Sequence, residues 1–321
     1  MHFAKWGGDV RKSEQRFYND LHFIRSEFFT NQCRAGKTNH FIRNRKMPLH
    51  HLLISMLVRK GRLYMELKEL NRAFKIQNGI SKPGYLKQRM KLNPEAFKLL
   101  SIHHAASFYR DTSAIKSWKG YLILAVDSTT LNIPLTEENI HQYGNTAKHD
   151  RRGRPQIGLS CLFDVKNRVL IDMKTGPCKL NEREEAILHI EQVPKVIGER
   201  KSIYIFDRGY PSGEFFLDLL ERNKPFLVRL GSVSFKKEQQ SMESDDCDVR
   251  ITFDKTRCKA CKKESSAQRL KKAGFVELRF VRIDLENGEY EYLATNLTRE
   301  EFNTKEIGVL YRMRWGIITI S

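Results

Sequence analysis

Residues 121–127 read YLILAVD and residues 202–207 read SIYIFD, and these two stretches decide the fold. Each is a short, almost wholly apolar run that ends on an aspartate. Such a run is typical of a strand buried on both faces, as in the parallel sheets of α/β proteins. The pattern therefore predicts two strands of one α/β sheet, with Asp127 and Asp207 directly after them.

The segment between the two aspartates predicts the remainder of the sheet. Apolar residues at 157–163 and 169–173 flank a short turn, which indicates an antiparallel hairpin. Residues 182–190 have helical spacing, and Ser212 stands at an N-cap position before a second helix at 215–221. The order strand, hairpin, helix, strand, helix is that of an RNase H-like α/β domain.

The chain on either side of this core predicts two further regions. Residues 226–296 have the texture of strands and indicate a β-rich insertion, before a helical segment from about 302 to 315. Upstream, apolar residues recur at three- and four-residue steps between Pro and Gly breaks, which indicates helices. We therefore expect a helical region at 1–115, followed by the α/β domain at 116–321.

The positive charge lies mostly in the predicted helical region. The chain has a formal net charge of +19, and residues 1–120 hold 24 Lys and Arg against 8 Asp and Glu. Residues 121–321 are much closer to neutral, with 33 basic against 30 acidic side chains. A basic face on small helices is typical of a region that binds a polyanion, and nucleic acid is the expected partner.

Composition also excludes two classes of protein. No run approaches the roughly 18 to 20 apolar residues that span a bilayer, so we expect no membrane association. The N-terminus lacks the apolar core of a secretory signal, which favours a cytoplasmic protein. Cys258 and Cys261 have the spacing of half a zinc site, but the lysines and arginines around them favour a basic loop with ordinary thiols.

Asp127 and Asp207 are the candidate catalytic residues. Ligand sites of open α/β sheets collect at the carboxyl ends of the strands. Two carboxylates held close together there are unfavourable unless a cation lies between them, and Mg²⁺ is bound by a few carboxylates together with phosphate oxygens. Two such ions about 4 Å apart can cleave a phosphodiester. The alternative is that both aspartates only cap the ends of their strands.

Several motifs resemble a known family of DDE-type bacterial transposases, the insertion-sequence-four family. Ala125–Thr130 resembles its first carboxylate motif, Phe206–Pro211 its second, and Leu310–Ile317 the start of its third. Three shorter stretches are similar to the region between the first two motifs: Arg154–Gln156, Phe163–Val165 and Asn181–Glu184. The resemblance runs from roughly residue 38 to the end, and the family also carries a β-rich insertion between its second and third motifs.

The resemblance implies a DNA transposase with an RNase H-like catalytic domain. Asp127 and Asp207 would hold the metal, Mg²⁺ or Mn²⁺, with two ions in intact relatives. Tyr311, Arg314 and Arg208 would contact DNA; for the first two, the alternative is an amphipathic helix with a solvated arginine. The partners would be the terminal inverted repeats of the element and the target DNA. A homodimer in the DNA complex and association with the bacterial nucleoid would follow.

The sequence departs from the family at the third carboxylate. The family signature is Tyr, two residues, Arg, three residues, Glu, six residues, Lys. Tyr311 and Arg314 match it, but the Glu position is Ile318 and the Lys position lies beyond Ser321. Glu306 is twelve residues upstream, about 18 Å along a helix, and does not replace it. We therefore expect a C-terminally truncated copy that binds DNA and has reduced or absent strand transfer.

Two other functions remain open from the sequence. The chain could be a non-catalytic DNA-binding protein, or an inhibitor derived from a transposase, because residues 1–120 keep their charge whatever the state of the active site. A general RNase H-like nuclease would fit the predicted fold. It would not account for the pattern at Tyr311 and Arg314.

Overall fold

The chain folds as two compact units, Met1–Asp111 and Thr112–Ser321. The structure, a computed structural model, describes residues 4–42, 46–144, 153–285 and 288–320. Side chains are described from residue 12 to residue 316 within those ranges. The position of Ile318 in the chain is therefore known, but its side chain lies outside the described residues.

The first unit consists of helices in its described part. They are α1 (Ala4–Ile24), α2 (Glu27–Gln32), α3 (Leu49–Leu57), α4 (Leu63–Ala73), α5 (Lys82–Arg89) and α6 (Glu95–Arg110). Serines cap the N-termini of α2 and α5. Ser26 and Ser81 accept hydrogen bonds from the backbone N–H groups of Phe29 and Gly84, respectively.

A small apolar core with one polar contact holds these helices together. Phe29, Leu52 and Tyr85 are completely buried, and Ser55 Oγ lies 3.0 Å from the hydroxyl of Tyr85 within the core. That contact matters because a buried phenol without a partner would destabilise the fold.

The second unit is built on one mixed sheet of eight strands. In chain order its strands are β1 (Leu122–Asn132), β2 (Gln156–Asp164), β3 (Val169–Pro177), β4 (Ser202–Phe206), β5 (Phe226–Leu230), β6 (Asp246–Thr252), β7 (Phe275–Asp284) and β8 (Tyr290–Thr295). Their order across the sheet is β3-β2-β1-β4-β5-β8-β7-β6. Only the pairs β1–β4 and β4–β5 are parallel, so the sheet is mostly antiparallel.

Helices connect the strands of the second unit. They are α7 (Glu137–Tyr143), α8 (Glu182–Ile197), α9 (Gly213–Glu221), α10 (Lys236–Gln240), α11 (Lys255–Lys259), α12 (Glu264–Ala273) and α13 (Thr304–Arg312). Ser212 caps α9 as expected, because its hydroxyl accepts a hydrogen bond of 3.1 Å from the N–H of Phe215. The predicted hairpin and the helix after it are also present, as β2, β3 and α8.

The first strand is longer than its sequence predicts. β1 does not end at Val126 but continues to Asn132, so Asp127 lies inside the strand and not directly after it. β4 pairs with β1 only as far as Ala125, whereas β2 pairs with it through Asn132. The expectation of a strand end before Asp127 was wrong because β2 continues to satisfy the backbone of β1 where β4 stops.

The segment 226–296, predicted as a β-rich insertion, begins with a strand of the parallel part of the sheet. β5 pairs with β4, so residues 226–230 continue that part. The remainder contains three helices as well as strands, namely α10, α11 and α12. Its strands extend the same sheet through β8, which pairs with β5, and form no separate sheet among the described residues.

The final helical segment is an α-helix only in its first part. α13 ends at Arg312, and residues Met313–Ile320 follow as a 3₁₀ helix, so the helical segment expected to residue 315 is present and changes from α to 3₁₀ at Met313. Tyr311, in the last turn of α13, lies close to Arg314 across this change of helix type. Over the part of the chain that the structure describes, no helix is both long and apolar enough to cross a membrane.

Candidate active site

The sheet brings Asp127 and Asp207 to adjacent positions. β1 and β4 run parallel, and their last paired residues are Ala125 and Ile205, so each aspartate lies two residues beyond the end of this pairing. β4 ends at Phe206, so Asp207 begins the loop that leaves the sheet. The runs before both aspartates are completely or almost completely buried, which fixes the backbone from which the two carboxylates extend.

The carboxylate of Asp207 contacts three groups. Its Oδ1 accepts hydrogen bonds from the backbone N–H of Arg208 at 2.7 Å and from the hydroxyl of Tyr311 at 3.3 Å. Its Oδ2 lies 3.9 Å from Nη2 of Arg314. The two residues of the third motif therefore meet the aspartate of the second motif.

Asp127 lies in an environment that disfavours its charge. Burial raises the pKa of its carboxyl above the ordinary value, and the charge of Asp207 adds to the effect. The N–H of Ser128, 3.0 Å from Oδ1, and the positive charge of Arg314 lower the pKa but do not outweigh the burial. Arg314 thus interacts with both carboxylates: its charge lowers the pKa of Asp127, and its guanidinium lies 3.9 Å from Asp207.

Arg314 is almost completely buried, with 3% of its side chain exposed. Its guanidinium carbon lies 5.6 Å from the ring centre of Tyr311 and 5.0 Å from that of Trp315. Its Nε is buried and has no hydrogen-bond partner among the residues described. A buried donor without a partner is unfavourable, so an acceptor that enters the site would be bound there.

The burial of Tyr311 and Arg314 decides against one of the two interpretations that the sequence left open for them. The solvated arginine of an amphipathic helix is excluded, since Tyr311 is 1% exposed and Arg314 faces Asp207. Glu306 has a different task, since it forms a capping box with Asn303 at the start of α13 and an ion pair of 2.6 Å with Lys119.

Arg208 lies on the rim of the site. Its residue is exposed, and it lines a cleft of about 620 Å³ together with Arg229 and Lys236. Arg229 is paired with Glu291 at 3.1 Å in the same cleft. The cleft thus combines basic and acidic groups directly beside Asp207.

Two residues near the site were not singled out as site residues by sequence reasoning. Glu182 is the first residue of α8, and its carboxyl interacts with the charges of both Asp127 and Asp207. Tyr210 is buried, and its hydroxyl lies 3.4 Å from Oγ of Ser128. The available signal was the stretch at 181–184, whose resemblance to the family carried no residue role.

A comparison with known families identifies the domain that contains these residues. The family model described as transposase DDE domain matches residues 118–317, more than half of the chain. The chain belongs to the DDE transposase domain family. The match contains both aspartates, Tyr311 and Arg314, and it ends one residue before Ile318. The resemblance to a DDE transposase that the sequence motifs indicated is confirmed at this level.

The chain was also compared with curated proteins and with solved structures. No curated protein matches the chain. The described structure is similar to the piggyBac transposase, solved by cryo-EM as a synaptic complex with hairpin DNA, with a TM-score of 0.45 and 10% sequence identity. The alignment covers 94% of this chain and 64% of that one, so the chain spans less than two thirds of the length of that transposase.

DDE transposase domains generally depend on divalent metal ions. Within the described ranges, no three His, Cys, Asp or Glu side chains are arranged so that they could hold a metal ion. Asp127 and Asp207 nevertheless fit a hard cation, because Mg²⁺ in nucleotide-processing sites takes one or two carboxylates together with water and substrate phosphates. Cys258 and Cys261 are free thiols that contact backbone carbonyls of Phe253 and Arg257 at 3.7 Å.

Proposed function

We propose that this chain is a transposase of the insertion-sequence-four family whose RNase H-like domain cleaves and transfers DNA with a divalent cation held by Asp127 and Asp207. The observation that supports the proposal is that the parallel strands β1 and β4 stop pairing at Ala125 and Ile205, two residues before each aspartate, and that the charge of Asp207 acts on Asp127. The strand order β3-β2-β1-β4-β5, with β1, β4 and β5 parallel, supports the RNase H-like assignment.

Each residue of the site has a task in this proposal. Asp127 and Asp207 bind Mg²⁺ or Mn²⁺, which when bound activates the attacking oxygen and neutralises charge on the phosphate. Arg314 compensates the two carboxylates before DNA arrives, and its unpartnered Nε offers a hydrogen bond to a phosphate oxygen. Tyr311 orients Asp207 through its hydroxyl. Arg208, exposed on the rim, binds the DNA backbone further from the cleaved bond.

The helical first unit supplies recognition of the DNA ends. Its charge supports this role, since 22 basic side chains stand against 8 acidic ones in residues 1–111. We expect it to bind the terminal inverted repeats, with the catalytic domain engaging target DNA afterwards and a homodimer forming in the DNA complex. The expected setting is the bacterial cytoplasm, at the nucleoid.

Ile318 limits the activity that we expect. An isoleucine occupies the position of the third carboxylate in the family signature, and its aliphatic side chain provides no oxygen ligand for a cation. With two aspartates the site has less negative charge than that of an intact relative. We therefore expect weak cleavage and little or no strand transfer.

A cleavage assay on DNA that carries the ends of the element tests the proposal. We expect slow cleavage that requires Mg²⁺ or Mn²⁺, is abolished by Asp127→Ala and is increased by Ile318→Glu. Robust cleavage that survives Asp127→Ala would overturn the site. Cleavage of unrelated DNA or RNA at a comparable rate would favour the general nuclease instead.

A second function is favoured by Ile318 together with the basic first unit. The chain would then be a non-catalytic DNA-binding protein that occupies the ends of the element and inhibits an active transposase. Specific binding of end DNA, no cleavage with either metal even after Ile318→Glu, and dominant suppression of transposition would support this alternative.

A further inference from the structure

The start of α8 is fixed beside the loop that follows Asp207. Arg183 donates hydrogen bonds to three successive backbone carbonyls of that loop: to Tyr210 at 2.9 Å, and to Gly209 and Pro211 at 3.3 Å each. These bonds hold the first turn of the helix against the loop. The residue before Arg183, Glu182, is thereby held at the same place.

The middle of α8 is fixed as well. His189, completely buried, lies with Nδ1 2.8 Å from Oδ2 of Asp172 on β3 and with Nε2 3.1 Å from Oγ of Ser160 on β2. Buried hydrogen-bonded groups of this kind have few alternative arrangements. The helix therefore has two points of attachment, and its first residue has little freedom to move away.

A glycine allows the carboxylate of Glu182 to approach the loop closely. A Cβ atom added to Gly209 would lie 3.2 Å from Oε2 of Glu182, which is tighter than ordinary van der Waals contact. Gly209 is two residues beyond Asp207. The acidic side chain therefore lies against the backbone of the loop that carries the second aspartate.

The charges around Glu182 agree with this geometry. Burial raises the pKa of its carboxyl, the charge of Asp127 raises it further, the charge of Arg183 lowers it and that of Asp207 raises it. Burial raises the pKa of the Tyr210 hydroxyl, and the charges of the same three acids raise it further. Glu182, Asp127 and Asp207 lie on three separate elements of the fold, and the charges of the two aspartates act on Glu182.

From this juxtaposition we infer that Glu182 supplies the third acidic side chain of the cation site, through a water ligand of the cation. The inference rests on the proposed function, which assigns the cation to Asp127 and Asp207. Direct ligation is not required by the geometry, because no three acidic side chains in the described chain lie at ligand spacing. An acid that accepts a hydrogen bond from a metal-bound water strengthens binding without touching the metal.

Helix stability alone does not account for Glu182. Acids in the first turn of a helix are favourable, and α8 has Glu184 and Glu185 there as well. Glu184 faces away from the site, since it forms an ion pair of 2.6 Å with Lys263. Of these three acids, Glu182 is the one whose carboxyl interacts with the charges of both aspartates, and it makes up part of the charge that Ile318 does not provide.

Binding of Mn²⁺ to the full chain, followed by electron paramagnetic resonance without DNA, tests the inference. We expect Glu182→Gln to weaken Mn²⁺ binding roughly tenfold or more, as for outer-shell partners of metal sites. Glu182→Asp should retain part of the affinity. Glu185→Gln, in the same turn of the same helix, is the matched control and should bind like the unaltered chain.

The outcomes separate the two proposals. If Asp127→Asn abolishes Mn²⁺ binding and Glu182→Gln leaves it unchanged, the role of Glu182 is wrong and the cation site stands. If Asp127→Asn also binds Mn²⁺ normally, the cation site itself is wrong, and the role of Glu182 with it. Thermal unfolding of each variant establishes that it is folded, and the Glu182→Asp variant tests the role again should Glu182→Gln not fold.

Discussion

Aspartates meet arginines in two regions of the second unit, and the two regions differ in how completely the charge is compensated. Asp246, at the start of β6, accepts two hydrogen bonds from Arg279 at 2.8 and 2.6 Å, one from Arg299 at 3.0 Å and one from Thr304 at 2.6 Å. At the candidate active site, Asp207 has Arg314 only at 3.9 Å, and Asp127 has no ion pair within the described chain.

The pKa values follow this difference. Burial alone would raise the pKa of Asp246, but hydrogen bonds from Arg279 and Thr304 and the charges of Arg279 and Arg299 outweigh burial and lower it to about 2. The pKa of Asp127 is raised, because burial outweighs its weaker partners. One region uses its acid to stabilise the fold, whereas the other keeps acidic charge that a cation can neutralise.

The largest effect that would sharpen this comparison is on activity. Asp127→Asn should reduce metal-dependent cleavage of end DNA by about a thousandfold, because several kcal/mol of charge stabilisation are lost with the cation. It should leave the free energy of unfolding equal or higher, since the repulsion from Asp207 and the burial of a charge disappear. Single-turnover cleavage and urea unfolding measure the two effects, and marked destabilisation would show that Asp127 has a structural role.

Substitution of Asp246, the compensated aspartate, should lower the free energy of unfolding. Asp246→Asn leaves Arg279, whose side chain is 4% exposed, without its ion pair, and we expect unfolding to become easier by about 3 kcal/mol. Asp248→Asn is the matched control, because Asp248 is largely exposed and pairs with Arg299, so its loss should have an effect of about 1 kcal/mol or less. Equal effects of both variants in urea unfolding would contradict the contrast between the regions.

The pH dependence of stability separates the regions further. The folded pKa of Asp246, about 2, is below its ordinary value, so its contribution to stability is full above about pH 4 and is lost as the pH falls towards 2. Asp127 has the opposite effect on stability, because its raised pKa means that protonation at lower pH favours the folded state. We expect the melting temperature of Asp246→Asn to fall less than that of the unaltered chain between pH 4 and pH 2.5.

The smallest effect concerns the orientation of Asp207. Tyr311→Phe removes a hydroxyl that donates to Oδ1 at 3.3 Å and leaves the aromatic ring in the core. One hydrogen bond contributes about 1 kcal/mol, so we expect cleavage to fall about fivefold. The melting temperature should change by only a few degrees. A loss as large as that of Asp127→Asn would instead place Tyr311 among the essential groups.

The core of the fold could be predicted from sequence because its signals are local. The runs before Asp127 and Asp207 are apolar on both faces, and the hairpin, α8 and the cap at Ser212 depend on residues near one another in the chain. The length of β1 could not be predicted in this way. Residues 128–132 are polar or exposed, and they are a strand because β2, some thirty residues later, supplies their partners.

The site was predicted in part for the same reason. Asp127 and Asp207 follow recognisable apolar runs, so the sequence indicates that they lie near each other. The contacts of Arg314 with Asp207, and of Glu182 with the loop at Gly209, join parts of the chain that are far apart in sequence. Residue spacing carries no information on such contacts, and the place of α8 depends on Arg183 and His189 in three dimensions.

The length of β1 also has a mechanical consequence. Five residues of β1 follow Asp127, about 17 Å of strand, and with β2 and β3 they form an arm that β4 does not accompany. Asp127 stands at the base of this arm, while Asp207 stands on the loop at the other side of the fork. We therefore expect that a load on this arm shifts the backbone of Asp127 relative to that of Asp207, because β4 does not hold the residues of β1 beyond Ala125.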